Sequence, residues 1–455
     1  MNERQSLRFD RAIIAILAIA LALRVSVALA SVRTRPIIDM VEYEELARHL
    51  ARGEGYRTDA GPTAYRPPLY PAFIAAVHLL LGESRLAVRL AQAVLGTATC
   101  FLVFVLGSAI GGSRCGRLAA LVLAVYPTHV LYTSYVHREI LYTCLLMGAL
   151  AVLTYPGAVR GLGAGALLGL ATLTNGLALA VIPVAGLYLA VRRRLRAAVM
   201  LVLGSAVIVA PWLIRNYTLF GAFAPVNTKT GVVLWEGNNE GWLRGETEWD
   251  IRTTQWSELE DLDELTAHRH ATARAMRFIR SNPAGFAYLC WRRFLQFWRV
   301  DLLFFFYLKM GYWGHLPGWL VGLLSPLLLL PFPALAVAGI VGAIGIGRPR
   351  GVWLLILLVG AVQVACGSLF VGGFRYHFPV IPILAVGSTA LRDGVRRLQG
   401  SSRRRIIVGV VVALACFNWV DQAYANRNQI RRLLGLPGGR FDDHLTRSWM
   451  KRGIF

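Results

Sequence analysis

Charge is the first thing this sequence lacks. Asp, Glu, Lys and Arg make up 16% of its 455 residues, against about 25% in a soluble domain, which excludes an ordinary water-soluble globule. Acidic residues are the scarcer sign, 25 against 48 basic, for a formal charge of +23. That surplus does not mark a nucleic-acid binder, because no basic stripe interleaved with aromatics is present. Cysteine is scarce too: six residues, four of them (Cys100, Cys144, Cys366, Cys416) inside apolar runs, with no CxxC or metal-ligand spacing. A disulfide framework and a zinc ribbon are excluded, and small apolar packing residues remain. No internal repeat of the inverted-transporter kind is visible.

What is present is apolar length. Hydrophobic residues reach 56%, clustered in runs such as Ala12–Ala30, Val88–Ile110 and Ile406–Val420. These approach the roughly 20 residues that cross a hydrocarbon core of about 30 Å. In that core each backbone amide needs an internal partner, so such runs are helical. The basic residues fall in short clusters between runs: Arg192–Arg194 with Arg196, Arg348 with Arg350, Arg396–Arg397 and Arg403–Arg405. Clusters of that kind mark cytoplasmic loops.

The expected fold is an all-α polytopic membrane protein of about eleven transmembrane helices, near 12–32, 88–111, 115–135, 139–156, 161–176, 178–191, 197–218, 316–346, 352–371, 378–392 and 406–424. Ala28-Leu29-Ala30 resembles a signal-peptidase site, but the run before it is longer than a signal core, so it reads as an uncleaved first span. Residues 1–424 read as one membrane-embedded domain, with external loops at 33–87 and 219–312, and 425–455 as a basic tail. An odd span count puts that tail outside, against the charge rule. Either one span is miscounted or the tail lies against anionic head groups or substrate phosphates.

The first external loop carries its own pattern. Met40, Tyr43, Ala47 and Leu50 recur at helical spacing, charges fill the other face, and Gly53 and Gly55 end the segment. An interfacial amphipathic helix is expected there. Pro67-Pro68-Leu69-Tyr70-Pro71 then opens a second apolar segment too short to span. The 219–312 loop mixes Trp235, Trp242, Trp249 and Trp256 with acids, suited to a lid or to binding sugar faces.

Two carboxylates sit at membrane boundaries, where they are costly unless solvated, paired or functional: Asp39 after the first span, and Glu139 in His137-Arg138-Glu139. Both are expected on the external side. Asp39 with Glu42 three residues on equally matches a capping box, and Glu139 equally matches a solvated turn residue paired with Arg138. Arg66 and Arg375 lie at external edges; each guanidinium suits a phosphate or snorkels to head groups. Arg24 and Arg89 lie in or near spans, more suited to pairing with a carboxylate or a helix end. His137 and His377 are turn histidines for which hydrogen bonding is the plainer reading than metal ligation.

These residues carry a family likeness. The chain resembles the C-fold (GT-C) membrane glycosyltransferases: protein O-mannosyltransferases, the lipid A aminoarabinose transferase, and bacterial relatives that decorate lipopolysaccharide cores. The matching pieces are Asp39 with Tyr43, RPPLYP at 66–71, RLAQAVLG at 89–96, Tyr126-Pro127 with Glu139 beyond, PWLIRN at 211–216, VLWEGNN at 233–239 and FRYHFPVIP at 374–382. The resemblance implies transfer of a single sugar from a polyprenyl-phosphate donor to a hydroxyl of a lipid, glycan or protein acceptor, on the periplasmic face of a bacterial inner membrane. It implies that Asp39 is a catalytic acid position, Glu139 the second, and Arg66 a contact to the carrier phosphate. Tyr43, Tyr376 and His137 fall in the same motifs as substrate-binding candidates, and a divalent cation is one option for the two acids. Where many bacterial relatives read Thr-Arg-Pro after the fifth span, this chain reads Thr174-Asn175-Gly176, so no role passes to that missing arginine. A flippase for lipid-linked sugars, and a ligase or polymerase with a pyrophosphate-linked donor, are the competing readings.

Overall fold

The computed structural model describes residues 10–425 except 247, 315, 347–350 and 371, together with 427. All but Ala425 and Arg427 of the basic tail, and Arg348 and Arg350, lie outside the described residues. Among the described residues the regular structure is helical apart from one short antiparallel hairpin, β1 Arg57–Thr58 with β2 Gly61–Pro62. It divides into two compact units. The first holds the chain up to Thr230, Leu335–Cys366 and Tyr376–Gly400; the second holds Gly231–Ala334, Gly367–Arg375 and the chain from Ser401.

In the first unit α1 (Arg11–Ala30) leads to α2 (Asp39–Ala51) and α3 (Leu69–Leu81), then α4 (Arg85–Val125), α5 (Pro127–Leu131), α6 (Glu139–Leu153), α7 (Ala158–Thr174), α8 (Val181–Val191) and α9 (Leu195–Phe220). α2 and α3 are the two loop helices expected from spacing, and Met40, Tyr43 and Ala47 are buried as the pattern requires. Six helices among the described residues are long and apolar enough to cross a bilayer: Arg11–Ala30, Arg85–Val125, Leu195–Phe220, Gly318–Ile346, Val352–Leu369 and Ser402–Gln422. A pair bent by 66°, Arg375–Ser388 with Leu391–Gln399, makes a seventh. Glu139–Leu153, Ala158–Thr174 and Gly176–Val191, three of the expected spans, are shorter apolar helices of 10–17 residues.

α4 is two helices joined tip to tip. Gly111 (φ −135°) and Gly112 (φ +81°) break it, and the second is a left-handed conformation that glycine alone adopts without strain. A Cβ on Gly107 would stand 2.9 Å from the Gly116 Cα, so the two arms touch backbone to backbone. Its second arm ends at Val125, ten residues short of the expected boundary, because Pro127 has no amide to continue the ladder.

Buried arginines fasten this unit. Arg24 donates from α1 to the carbonyls of Ala124 (3.2 Å) and Leu123 (3.4 Å) at the end of α4, and meets His129 Nδ1 at 2.9 Å. It is a helix-end pairing, as its position suggested. Arg89, in α4, donates to Ser134 O (2.9 Å), Ser31 O (2.5 Å) and Thr34 Oγ1 (2.7 Å). One guanidinium thus joins the segment that leads to Asp39 with the segment that leads to Glu139. Gln92, one turn on, donates to Thr133 O (3.2 Å) and Tyr135 O (2.9 Å) and accepts from the Tyr70 hydroxyl at 2.7 Å.

α7 and α9 pack through a small-residue stripe. Gly161, Gly165 and Gly169 recur every four residues, the spacing that lets helices approach closely in lipid. A Cβ on Gly165 would lie 2.0 Å from the Leu201 carbonyl oxygen, while one on Gly163 would meet nothing within 4 Å. Gly165→Ala is therefore expected to lower the melting temperature of the purified protein. The overpacking cost of about 1–3 kcal/mol outweighs the roughly 1 kcal/mol of helix propensity gained. Gly163→Ala, which keeps only the gain, is the control and should melt no lower than wild type by differential scanning fluorimetry.

In the second unit Asp263 caps the helix Glu264–Ser281 by accepting from Leu265 N and Thr266 N. Ala271 and Ala275 of that helix pack on Trp235 with Val232, Leu234 and Leu259. Glu258 takes both Nε (3.0 Å) and Nη2 (2.5 Å) of Arg274. Arg293 donates to the carbonyls of Gly237 and Ser368 and to Asn238 Oδ1. The polar stretch after residue 219 is thus built from helices, not from open loop.

Candidate active site

The site grows from the first turn of α2. Asp39 is its first residue, not its cap: the capping position is Ile38, which has φ +54°, ψ −125° and makes no side-chain cap bond. That left-handed conformation is unfavourable for a β-branched residue and costs about 1–3 kcal/mol. The strain lies immediately before the candidate base. The capping-box reading fails because both acids turn elsewhere. Arg66, just 3% exposed, donates Nη2 to Asp39 Oδ1 (2.7 Å) and Nε to Glu42 Oε2 (2.6 Å). Burial works against the Arg66 charge, but Asp39, Tyr43 and Glu42 outweigh it and hold the guanidinium firmly protonated.

Lys229 Nζ stands 3.9 Å from the same Asp39 Oδ1 and 5.1 Å from the Tyr65 ring centroid. Sequence reasoning missed it. The signal available was composition: it is one of three lysines in a chain that otherwise uses arginine. Its placement comes from PWLIRN at 211–216. Trp212 Nε1 donates to Val226 O (2.7 Å) and Asn216 Nδ2 to Pro225 O (3.0 Å), and Thr228 N donates to Ala64 O (3.1 Å). Arg215 of the same motif donates to Thr63 O (2.7 Å) and Tyr56 O (2.9 Å), and the Tyr56 hydroxyl donates to Arg66 O (2.9 Å). One helix end therefore places both cations.

Tyr43, one turn beyond Asp39, is wholly buried; its ring meets Tyr70 edge-on at 5.0 Å and lies 5.2 Å below the Arg66 guanidinium. Burial pushes its hydroxyl above the ordinary phenol range; Arg138 and Arg66 oppose this, and Asp39 and Glu139 add to it. The phenol keeps its proton at neutral pH. Two acids and two arginines from distant parts of the chain thus converge electrostatically on one hydroxyl. Neither that Tyr43 Oη nor Arg138 Nε, both buried, has a hydrogen-bond partner among the described residues. A buried donor without an acceptor is costly, and a ligand oxygen would satisfy both.

Glu139 opens α6, is 6% exposed, and follows the buried His137. Its position is set by the 133–135 segment that Arg89 and Gln92 grip. Tyr376 and His377 lie in the 3-10 stretch Phe374–Val380, whose Phe378 ring packs on Tyr132 at 4.1 Å and on His129 at 4.7 Å. Arg375 falls in the second unit. The site therefore unites Asp39, Tyr43, Arg66 and Glu139 and adds Glu42, Arg138 and Lys229. Oxygen donors of this kind suit Mg2+ or Mn2+, but Asp39 and Glu42 each give an oxygen to Arg66, and among the described residues these acids do not form a group whose ligand atoms could share one ion.

A family model described as dolichyl-phosphate-mannose-protein mannosyltransferase matches residues 65–214. No curated protein matches by sequence. Among solved structures the chain is similar to ArnT from Cupriavidus metallidurans bound to undecaprenyl phosphate, at TM-score 0.50 and 16% identity, over 97% of this chain and 72% of that one. It is similar to the archaeal oligosaccharyltransferase AglB from Archaeoglobus fulgidus in complex with an inhibitory peptide and a dolichol-phosphate (TM-score 0.52, 15% identity, 97% and 58%). The Archaeoglobus fulgidus oligosaccharyltransferase in complex with zinc and sulfate matches at TM-score 0.53 and 14% identity, over 97% and 55%. The chain spans little more than half the length of the archaeal enzymes, and the likeness is one of fold.

Proposed function

We propose that this chain, an integral membrane protein with the GT-C fold, is a glycosyltransferase that moves one sugar from a polyprenyl-phosphate carrier to an acceptor hydroxyl outside the cytoplasm. The observation that carries this is one buried cluster: Asp39 between Arg66 and Lys229, with a protonated phenol and Glu139 beside it. A polyprenyl phosphate is already a good leaving group, so the chemistry asks for a base and for positive charge, not for a glycosidase acid.

The acceptor oxygen attacks the anomeric carbon, the bond from that carbon to the phosphate oxygen breaks, and the acceptor proton passes to Asp39. Attack opposite the phosphate gives inversion. The second negative charge on the departing phosphate is met by Lys229 and Arg138, with Tyr43 donating to a phosphate oxygen. Electrostatic stabilisation of this kind is usually the largest single contribution in a water-poor cleft.

This division differs from the one the motif implies. Arg66 already spends Nε and Nη2 on two carboxylates, so its role is to hold Asp39 and Glu42 in place. Lys229 is the more exposed cation, its side chain 26% exposed against 3% for Arg66. Lys229→Ala should weaken binding of undecaprenyl phosphate about tenfold, or about 1.4 kcal/mol, with the melting temperature little changed. Equal affinity in the variant removes Lys229 from the phosphate.

The reaction is tested with purified protein in detergent, a panel of radiolabelled sugars on polyprenyl phosphate, and candidate lipid, glycan and peptide acceptors. Sugar transfer with release of polyprenyl phosphate, in the absence of any sealed membrane, supports the enzyme and discards simple transport. Transfer only from pyrophosphate-linked glycans would replace this reading by a ligase.

A further inference from the structure

Further along α2 than Asp39 and Glu42, a second group of ligating side chains converges. Glu45 and His49 are one helical turn apart, and Asp59 reaches them from the turn between β1 and β2. One ligand atom from each lies within 4.8 Å of the other two. Donor atoms bound to one small divalent ion at about 2.1 Å stand roughly 3.0–3.5 Å from each other at right-angled to tetrahedral geometry. The Asp59 Oδ1 to His49 Nε2 separation, 3.0 Å, already has that value.

The imidazole itself points to a ligand. His49 is 9% exposed, and each ring nitrogen faces a carboxylate: Nδ1 meets Glu54, and Nε2 meets Asp59. A neutral ring has one N–H. If Nδ1–H donates to Glu54, Nε2 turns a lone pair on an anionic oxygen unless the ring takes a second proton or a metal ion lies between them. A carboxylate on the outer nitrogen, orienting the ring so that the inner nitrogen binds metal, is the usual support of a histidine ligand. The nearby cations Arg52 and Arg57 act by charge on Glu54.

We propose that Glu45, His49 and Asp59 bind one divalent cation of the zinc class, with water completing a four-coordinate shell and Glu54 supporting the ring from outside. One nitrogen and two carboxylate oxygens suit zinc better than calcium or magnesium, which prefer all-oxygen shells. The ion clips the β1–β2 hairpin to α2. Its reach extends inward, because Tyr56, which precedes the hairpin, donates to the Arg66 carbonyl. The site is therefore a structural clip on the loop that carries the candidate acids, and it does not rest on the transfer reaction.

The test uses the full-length protein in detergent, stripped with chelator and titrated with ZnCl2 alone, then with MgCl2, by calorimetry and by thermal melting. Saturable uptake of one zinc equivalent with a rise in melting temperature, and no comparable response to magnesium, is expected. Asp59→Asn, at an exposed turn where misfolding is not an issue, should weaken zinc at least tenfold. Glu54→Gln, which removes the outer partner, should weaken it about 10–100-fold. Asp39→Asn should bind zinc as wild type does. Three results overturn the proposal: no saturable uptake, affinity unchanged in Asp59→Asn, or loss of uptake in Asp39→Asn, which would put the ion on the acids of α2's first turn. Melting that responds to pH across the histidine range but not to zinc also overturns it, since an imidazolium then holds the two carboxylates by itself.

Discussion

Asp39→Asn is expected to lower sugar transfer by about 100-fold or more while the protein still inserts and melts near the wild-type temperature. Removing a positioned general base costs typically about 10²–10⁴-fold, and the amide cannot accept the acceptor hydroxyl's proton. The folded state tolerates the change because the side-chain oxygen of asparagine still accepts from Arg66, which keeps its second carboxylate in Glu42. The measurement is initial transfer rate beside a fluorimetric melting curve and the affinity for undecaprenyl phosphate. A rate within severalfold of wild type takes the base role away from Asp39. A collapse of melting temperature instead would make the residue structural.

Arg66→Ala is expected to do the reverse, lowering stability as well as turnover. It leaves Asp39, with a side chain 14% exposed, and Glu42 facing each other without the guanidinium that both use. Breaking a buried pair by deleting one partner typically costs about 3–5 kcal/mol; the partly exposed Glu42 puts this case at the lower end, about 3 kcal/mol. Arg66→Lys restores a charge but not the fork, since an ammonium lacks the planar geometry that serves two carboxylates at once. It should recover part of the melting temperature and little of the rate. If alanine and wild type melt together, the fork between Asp39 and Glu42 contributes nothing to folding.

The sequence made the helical fold and the first external loop legible, because apolar runs and the Met40–Tyr43–Ala47 period are local signals. The convergence of Asp39, Arg66 and Glu139 was legible through motif order. Lys229 was not, because its approach to Asp39 depends on hydrogen bonds made by Trp212, Asn216 and Thr228 across distant segments. Spacing left two readings of Asp39 open, since Asp-x-x-Glu describes both a capping box and two acids on one face of a first turn that share an arginine. At 139–191 apolar composition is strong, while the helices run for 10–17 residues, short of the roughly 20 that cross a hydrocarbon core. Composition reports what enters lipid; it does not report where Pro, Gly or Asn ends a helix.

Both carboxylates are, in effect, passengers of a single helix terminus. Arg89 bonds at once to the carbonyl where α1 finishes and to the one that precedes α6. If α4 leans as the bilayer thins or thickens, this shared anchor should carry the segments that bear the two acids together. Catalytic rate in reconstituted vesicles should then vary little with acyl-chain length, whereas Arg89→Ala would make it sensitive to lipid.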